Sequence, residues 1–260
     1  MVSPKIGLSM LYCLGQPFNR AIVQIEKAGT PSIELVDDGL HALNRKRVQA
    51  LNDVAASYGL KYTVHAPFIG VDMSTPSDWL LKAMMKRLKK SIVNSSALNC
   101  QVWVFHPGSK SVMSDLSPGM DWIRNLKTAS LLSKFARDHG VKAAIENVPE
   151  PFLFVMKTVE DFKRFYNEVD EDISMTLDLG HANISHQIEA FLATFAGKIV
   201  HMHAHDNDGK SDLHLGTGFG TINWEKTADL IKKIHYDRTI VVESSEHVQE
   251  SLNRLRQLFF

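Results

Sequence analysis

Ionisable side chains recur where short apolar runs of this chain end. Glu34, His65, His106, Glu146, Asp178, His203 and Glu243 occupy seven such positions in order. His181 follows Asp178 by one helical turn, and Asp212-Leu213-His214 offers two more candidates on one side of an extended loop. Carboxylates gathered at one place raise each other's pKa unless cations neutralise them, so the pattern points to bound metal. Imidazole together with carboxylate suits Zn2+, with Mn2+ or Fe2+ as alternatives. The candidate ligands are His65, His106, Glu146, Asp178, His181, His203, Asp212, His214 and Glu243. They exceed what one ion takes; with one bridging carboxylate they serve two or three ions. Charge separates the substrates this allows. One dication among Glu146, Asp178 and Glu243 leaves about −1, which suits a neutral sugar, whereas three dications with those residues and Asp212 leave about +2, which attracts a phosphodiester.

These groups need a scaffold that brings distant segments to one place. Apolar runs rich in β-formers at 5–10, 32–36, 61–65, 101–106, 142–146, 174–178, 199–203 and 239–243 read as strands. Stretches with apolar residues at three- and four-residue spacing, at 40–58, 78–97, 126–139, 159–168, 224–235 and 247–258, read as the helices between them. Strands alternating with helices make a parallel sheet, and this many βα units in 260 residues fit a single closed (β/α)8 TIM barrel, class α/β. Its catalytic groups sit at the C-terminal ends of the strands. An open doubly wound sheet is the alternative, weakened because no Gly-x-Gly-x-x-Gly follows the first strand. No linker or low-complexity tract divides the chain, so residues 1–260 are expected to form one domain.

Composition narrows the partners. Lys+Arg and Asp+Glu are balanced at 29 each, which argues against a bulk nucleic-acid-binding surface. Two cysteines, Cys13 and Cys100, stand far apart and suit a reducing cytoplasm. The start, Met1-Val2-Ser3-Pro4-Lys5, lacks the features of a secretory leader, and no run nears the roughly 20 apolar residues of a membrane span. The expectation is a soluble cytoplasmic enzyme with no membrane partner.

His65-Ala66-Pro67, Phe105-His106-Pro107-Gly108-Ser109, Glu146-Asn147, Asp178-x-x-His181, His203-Ala204-His205-Asp206, Asp212-x-His214 with Gly218-x-Gly220, and Glu243 together resemble the xylose-isomerase-like TIM-barrel superfamily, closest to its endonuclease IV branch. The resemblance implies a trinuclear zinc cluster. His65 and His106 would hold one ion, Glu146 would bridge it to a second held by Asp178, His203 and Glu243, and His181, Asp212 and His214 would hold the third. It implies a metal-dependent phosphoester hydrolase acting on a small phosphoester or abasic-site DNA, with Glu146, Glu243 and His181 as catalytic residues. The superfamily's sugar isomerases and epimerases resemble the chain at Glu146, Asp178, His203 and Glu243, which there hold one ion; the alternative is therefore a sugar or sugar-phosphate isomerase or epimerase with Glu146 and Glu243 as an acid/base pair. The hydrolase ranks first because the alternative leaves His106, Asp212 and His214 without a task. The chain departs from endonuclease IV at Gly180, where that branch has cysteine in Asp-Thr-Cys-His, at His205, where it has asparagine, and at Leu213, where it has arginine or tryptophan. These departures and the shorter chain weaken the DNA-specific part.

Weaker signals have plainer readings. Lys82, Lys86, Arg87, Lys89 and Lys90 form the solvated face of an amphipathic helix. Gly216, Gly218 and Gly220 read equally as a phosphate-facing loop or a plain turn. His201, His205 and His235 are expected to pack without a ligand role, and Asp206 to accept a hydrogen bond from a ligating imidazole. Met10, Tyr12, Phe68 and Trp79 are expected to be core or rim rather than to line the mouth.

Overall fold

The computed structural model describes residues 3–260; Met1 and Val2, part of the stretch read above for a leader, lie outside them. Eight parallel strands close into a barrel in sequence order: β1 (Lys5–Ser9), β2 (Ser32–Val36), β3 (Lys61–His65), β4 (Val102–Phe105), β5 (Lys142–Glu146), β6 (Ser174–Asp178), β7 (Ile199–Ala204) and β8 (Thr239–Val242). Closure runs through β1 and β8, with Lys5 opposite Thr239 and Leu8 opposite Val242. Beyond the opening residues Lys5, Lys61, Lys142 and Ser174, strand residues are buried on both faces, as parallel strands covered by helices must be. Alternation then decides function. Trp103 and Phe105 of β4 join the shell between sheet and helices, while Val102 and Val104 belong to a separate small cluster with Ala144 and Val200. His106 continues the second face of β4 and Glu146 that of β5.

The helices begin where the sequence supplies caps. Ser77 accepts a hydrogen bond from Leu80 N at the start of Asp78–Ala97. Thr158 and Asp161 make a reciprocal capping box at Val159–Glu168. The predicted helix at 40–58 is two elements: a 3-10 turn Gly39–His41 and the helix Arg45–Tyr58, which Asn44 caps at Arg47 N. Helices Phe18–Glu26, Met113–Leu116, Leu179–Ile184 and Ile188–Phe195 have no counterpart in the sequence reading. All have fewer than ten residues and one just four, too few turns for the apolar period to stand out. Among the described residues no helix is long and apolar enough to cross a membrane.

The lysine-rich helix needs one correction. Lys82, Lys86 and Lys90 are on its solvated side, but Arg87 reaches the fully buried Asp37 just beyond β2. Its Nη2 lies 2.7 Å from Asp37 Oδ1 and 2.6 Å from the Asp37 carbonyl, and its Nη1 3.1 Å from Oδ2. Asp37 Oδ1 also accepts from Leu43 N at 2.6 Å. Arg87→Ala leaves a buried carboxylate without its cation, and because Arg87 is partly exposed and Leu43 remains, the expected loss is about 2–3 kcal/mol, below the range for fully buried pairs. Urea unfolding checks it: Lys86→Ala is expected to stay within about 0.5 kcal/mol of wild type, and an equally small change for Arg87→Ala would show the pair to be ornamental.

Candidate metal centre

Each site side chain is placed by a strand end or the loop just after it. His65, Glu146 and Asp178 close β3, β5 and β6; His106 and Glu243 follow β4 and β8 by one residue; His203 is the penultimate residue of β7. Asp178 also caps the helix that follows, accepting from His181 N at 2.7 Å, and this turn swings His181 back over the barrel mouth. Asn147 locks the β5–β6 edge by exchanging two hydrogen bonds with the Asp178 backbone, at 2.8 and 3.0 Å.

All nine sequence-nominated groups converge, in three sets, two of them sharing Glu146, and within each set the ligand atoms lie within 4.8 Å of one another. Glu146, Asp178, His203 and Glu243 form a fully buried central set; His65, His106 and Glu146 form a second set sharing Glu146; His181, Asp212 and His214, joined by His205, form a third. In the central set His203 Nδ1 lies 3.1 Å from Glu146 Oε1, 3.2 Å from Glu243 Oε2 and 3.6 Å from Asp178 Oδ2. Glu146 Oε2 faces His65 and His106 Nε2, each at 3.4 Å.

The imidazoles are oriented by backbone carbonyls. Nδ1 of His65, His181 and His214 lies against the carbonyls of Ala66, Asn147 and Glu243, at 2.9, 2.8 and 2.8 Å. In the neutral ring these contacts place the proton on Nδ1 and leave Nε2 as the atom that can ligate. In the distal set the Nε2 atoms of His181 and His214 lie 3.4 Å from Asp212, while that of His205 lies 3.8 Å from Asp212 and 3.1 Å from Asp178 Oδ1.

Whether this donor set fits a divalent metal is answered by what it leaves unpaired. Among the described residues, Glu146 Oε2, Asp178 Oδ2, His205 Nε2 and Asp212 Oδ1 are buried without a well-directed hydrogen bond, their nearest ionic partners standing at 3.1–3.6 Å. Such atoms are costly unless something else binds them. Burial pushes the Glu146 and Asp178 carboxyls up, yet the facing imidazoles outweigh it and hold both well below the usual carboxylate range. Burial likewise disfavours a charged imidazole, yet Glu146 and other carboxylates hold His65 up at about 9, and Asp178 and Asp212 hold His181 up at about 10. His106, where burial dominates, is pushed down. These side chains compensate one another's charge, a role a bound cation would take over.

Above the centre opens a cavity of about 490 Å3. His65, His106, Glu146, His181, Asp212, His214 and Glu243 form its floor, and Leu11, Phe68, Val71, Pro149, Phe152 and Phe154 are among its walls. Among the described residues, no lysine or arginine lines it.

Several expectations change. Glu34 is not at a strand end; it sits mid-β2, fully buried, against His201 and His203. His205 is not merely packed but belongs to the distal set. Alternation along β7 signalled this, because 201, 203 and 205 share a face. The Asp206 carboxylate serves no imidazole among the described residues, although the Asp206 carbonyl lies 3.5 Å from His205 Nδ1: the carboxylate accepts from the Trp224 indole, Gly218 N, Ile222 N and Asn207 N, tying down the loop after β7. Gly220 packs so tightly on Asp206 and Asn207 that a Cβ would overlap them, which favours loop packing over a phosphate cradle. Phe68 lines the cavity, whereas Met10 and Tyr12 belong to the core and its margin and Trp79 is exposed.

The barrel and its polar mouth define a class, and sequence comparison agrees. Residues 22–258 match the family described as xylose isomerase-like TIM barrel, and the chain belongs to that family of enzymes. Curated relatives include the uncharacterized proteins MJ1311 and MJ1614 of Methanocaldococcus jannaschii. MJ1311 is 29% identical over 246 residues, covering 92% of this chain and 83% of the relative. MJ1614 is 29% identical over 242 residues, covering 92% of each. Among solved structures, a D-tagatose 3-epimerase-like protein is similar with a TM-score of 0.92 at 26% identity, over 98% of this chain and 96% of that one. D-psicose 3-epimerase from Clostridium cellulolyticum, solved with D-tagatose, shares the fold at a TM-score of 0.75 and 19% identity, over 97% and 96%. So does the TTHB071 protein from Thermus thermophilus, soaked with ZnCl2, at 0.74 and 21%, over 98% and 97%.

Proposed function

We propose that this protein is a divalent-metal-dependent epimerase or isomerase of a small, unphosphorylated keto sugar. The observation that carries this reading is the cavity: two buried glutamates and aromatic walls, with no lysine or arginine among the described residues to complement a phosphate. The sugar epimerases among the structural relatives support it, and it reverses the order given by the sequence reading, which put the hydrolase first.

Glu146 and Glu243 come from strands three places apart around the barrel and approach the cavity from different directions. One carboxylate takes the proton from the carbon beside the substrate carbonyl, and the electron pair moves onto the carbonyl oxygen. The other, entering protonated, returns a proton to the opposite face, so the stereocentre inverts and the net proton count is unchanged. His181, held by the Asn147 carbonyl, presents Nε2 to a substrate oxygen. The apolar walls cover the C–H faces of the sugar and exclude water. Glu146, Asp178, His203 and Glu243 would hold one divalent ion, Zn2+, Mn2+ or Fe2+, which when bound polarises the carbonyl.

A second reading rests on one specific observation. The His65–His106–Glu146 and His181–His205–Asp212–His214 sets are more than a one-ion epimerase needs, and they favour a phosphoester hydrolase with two or three zinc ions. The test separates the two. Metal-reconstituted protein incubated with a panel of ketoses in D2O is expected to place deuterium on the carbon beside the carbonyl and to yield the epimer or isomer. Cleavage of an abasic-site duplex or a simple phosphodiester, with no deuterium entering any ketose, would replace this reading by the hydrolase.

A further inference from the structure

Below the central set, within the barrel, lie two side chains, Glu34 and His201, that the proposed chemistry leaves without a task. Glu34 projects from the middle of β2, and His201 from β7 two residues before His203. All three are fully buried, and among the described residues the ionic partners of Glu34 are imidazoles alone. His201 Nε2 lies 2.8 Å from Glu34 Oε2; His203 Nε2 lies 3.1 Å from Oε1 and 3.2 Å from Oε2. Thr63 Oγ1 donates to Oε2 at 3.4 Å. A buried carboxylate with no lysine or arginine costs several kcal/mol unless its neighbours return it. These three do not form a further cation site, because 2.8 Å between nitrogen and oxygen is a direct hydrogen bond with no room for an ion.

The consequence lies in the two nitrogens of His203. Above it, three carboxylates compete to draw a proton onto Nδ1. Only a proton-free Nδ1 can ligate a metal. Glu34, from below, is the acceptor that keeps the proton of the neutral ring on Nε2 and the ring upright. We propose that Glu34 is the positioning residue of the central metal set: it fixes the tautomer and orientation of His203, and His201 in turn anchors Glu34. This rests on the metal-dependent reading above but predicts metal binding, independent of any substrate.

The test uses metal alone. In an Asp212→Ala background, which weakens the distal set, Zn2+ and Mn2+ affinities are measured by chelator competition. Glu34→Gln is expected to bind about 10- to 100-fold more weakly, the usual cost of losing a partner behind a ligating histidine. His203→Ala is expected to lose more, and adding Glu34→Gln to it to change nothing further. An effect of Glu34→Gln that persists at full size without His203 would make Glu34 a general structural residue and overturn the proposal, as would unchanged affinity. Long-range proton–nitrogen correlation spectra of Zn2+-loaded wild type decide the matter even where Glu34→Gln fails to fold: the proton of His203 is expected on Nε2, and one on Nδ1 overturns the proposal. A wild-type protein that takes up no ion would sink the functional reading instead, while the same spectra of metal-free protein still show whether Nε2–H is bonded to Glu34.

Discussion

On the proposed epimerase reading, Glu146→Gln is expected to lower turnover by about a thousandfold or more while leaving the protein folded. General acid–base groups contribute about 10^2–10^4 on their own, and Glu146 is also the side chain shared by two of the three ligand sets. One carboxylate oxygen faces His203 Nδ1 at 3.1 Å, and the other faces His65 and His106 at 3.4 Å. Glutamine keeps this shape but replaces one oxygen by a donor that neither binds a cation nor accepts a proton. Glu243→Gln is expected to lose comparable turnover but less metal, because Glu243 serves the central set only. Deuterium uptake by the substrate, metal content after dialysis and circular dichroism read the three quantities separately. Turnover within tenfold of wild type in Glu146→Gln would remove it from the chemistry.

Much of this centre is legible in the sequence because a barrel converts strand order into spatial convergence. Once β3 to β8 are located by their apolar runs, the residue at or just after each end must face the mouth, and His65, His106, Glu146, Asp178 and Glu243 follow. Helices with strong local signals are equally legible: the bounds 78–97 and 159–168, read from apolar spacing, coincide with the observed helices, whose first turns Ser77 and Thr158 cap. What was not legible depends on depth or on distance. Glu34 and His203 share a face of the sheet interior, but that they touch depends on barrel radius, which no local pattern reports. Arg87 resembles its lysine neighbours until the loop after β2 brings Asp37 beneath it, 50 residues away in sequence. The ranking of activities turned on the cavity wall, where Phe68, Phe152 and Phe154 come from separate loops and no cation among the described residues joins them.

The departures from the endonuclease IV pattern at positions 180 and 205 lead to the second large effect. Gly180 lies in the first turn of the helix Leu179–Ile184, and a Cβ there would overlap the His205 ring. The ring that completes the distal set thus occupies the space a side chain at 180 would need. Overpacking so confined a site costs about 1–3 kcal/mol, so Gly180→Ala is expected to destabilise the metal-free protein by about 2 kcal/mol and to displace His205 from Asp212. Without the ring the sign reverses. Alanine is intrinsically better than glycine in a helix by about 1 kcal/mol, so in a His205→Ala background Gly180→Ala is expected to be neutral or stabilising. Urea unfolding of the four proteins gives the coupling, and Zn2+ stoichiometry shows whether Gly180→Ala and His205→Ala weaken the same distal ion. Additive stabilities would mean that the ring yields freely and that glycine at 180 is not what admits it. A coupling near the full ~2–3 kcal/mol would identify the two departures as one structural change, in which a side chain at 180 is given up to seat a third imidazole against Asp178 and Asp212.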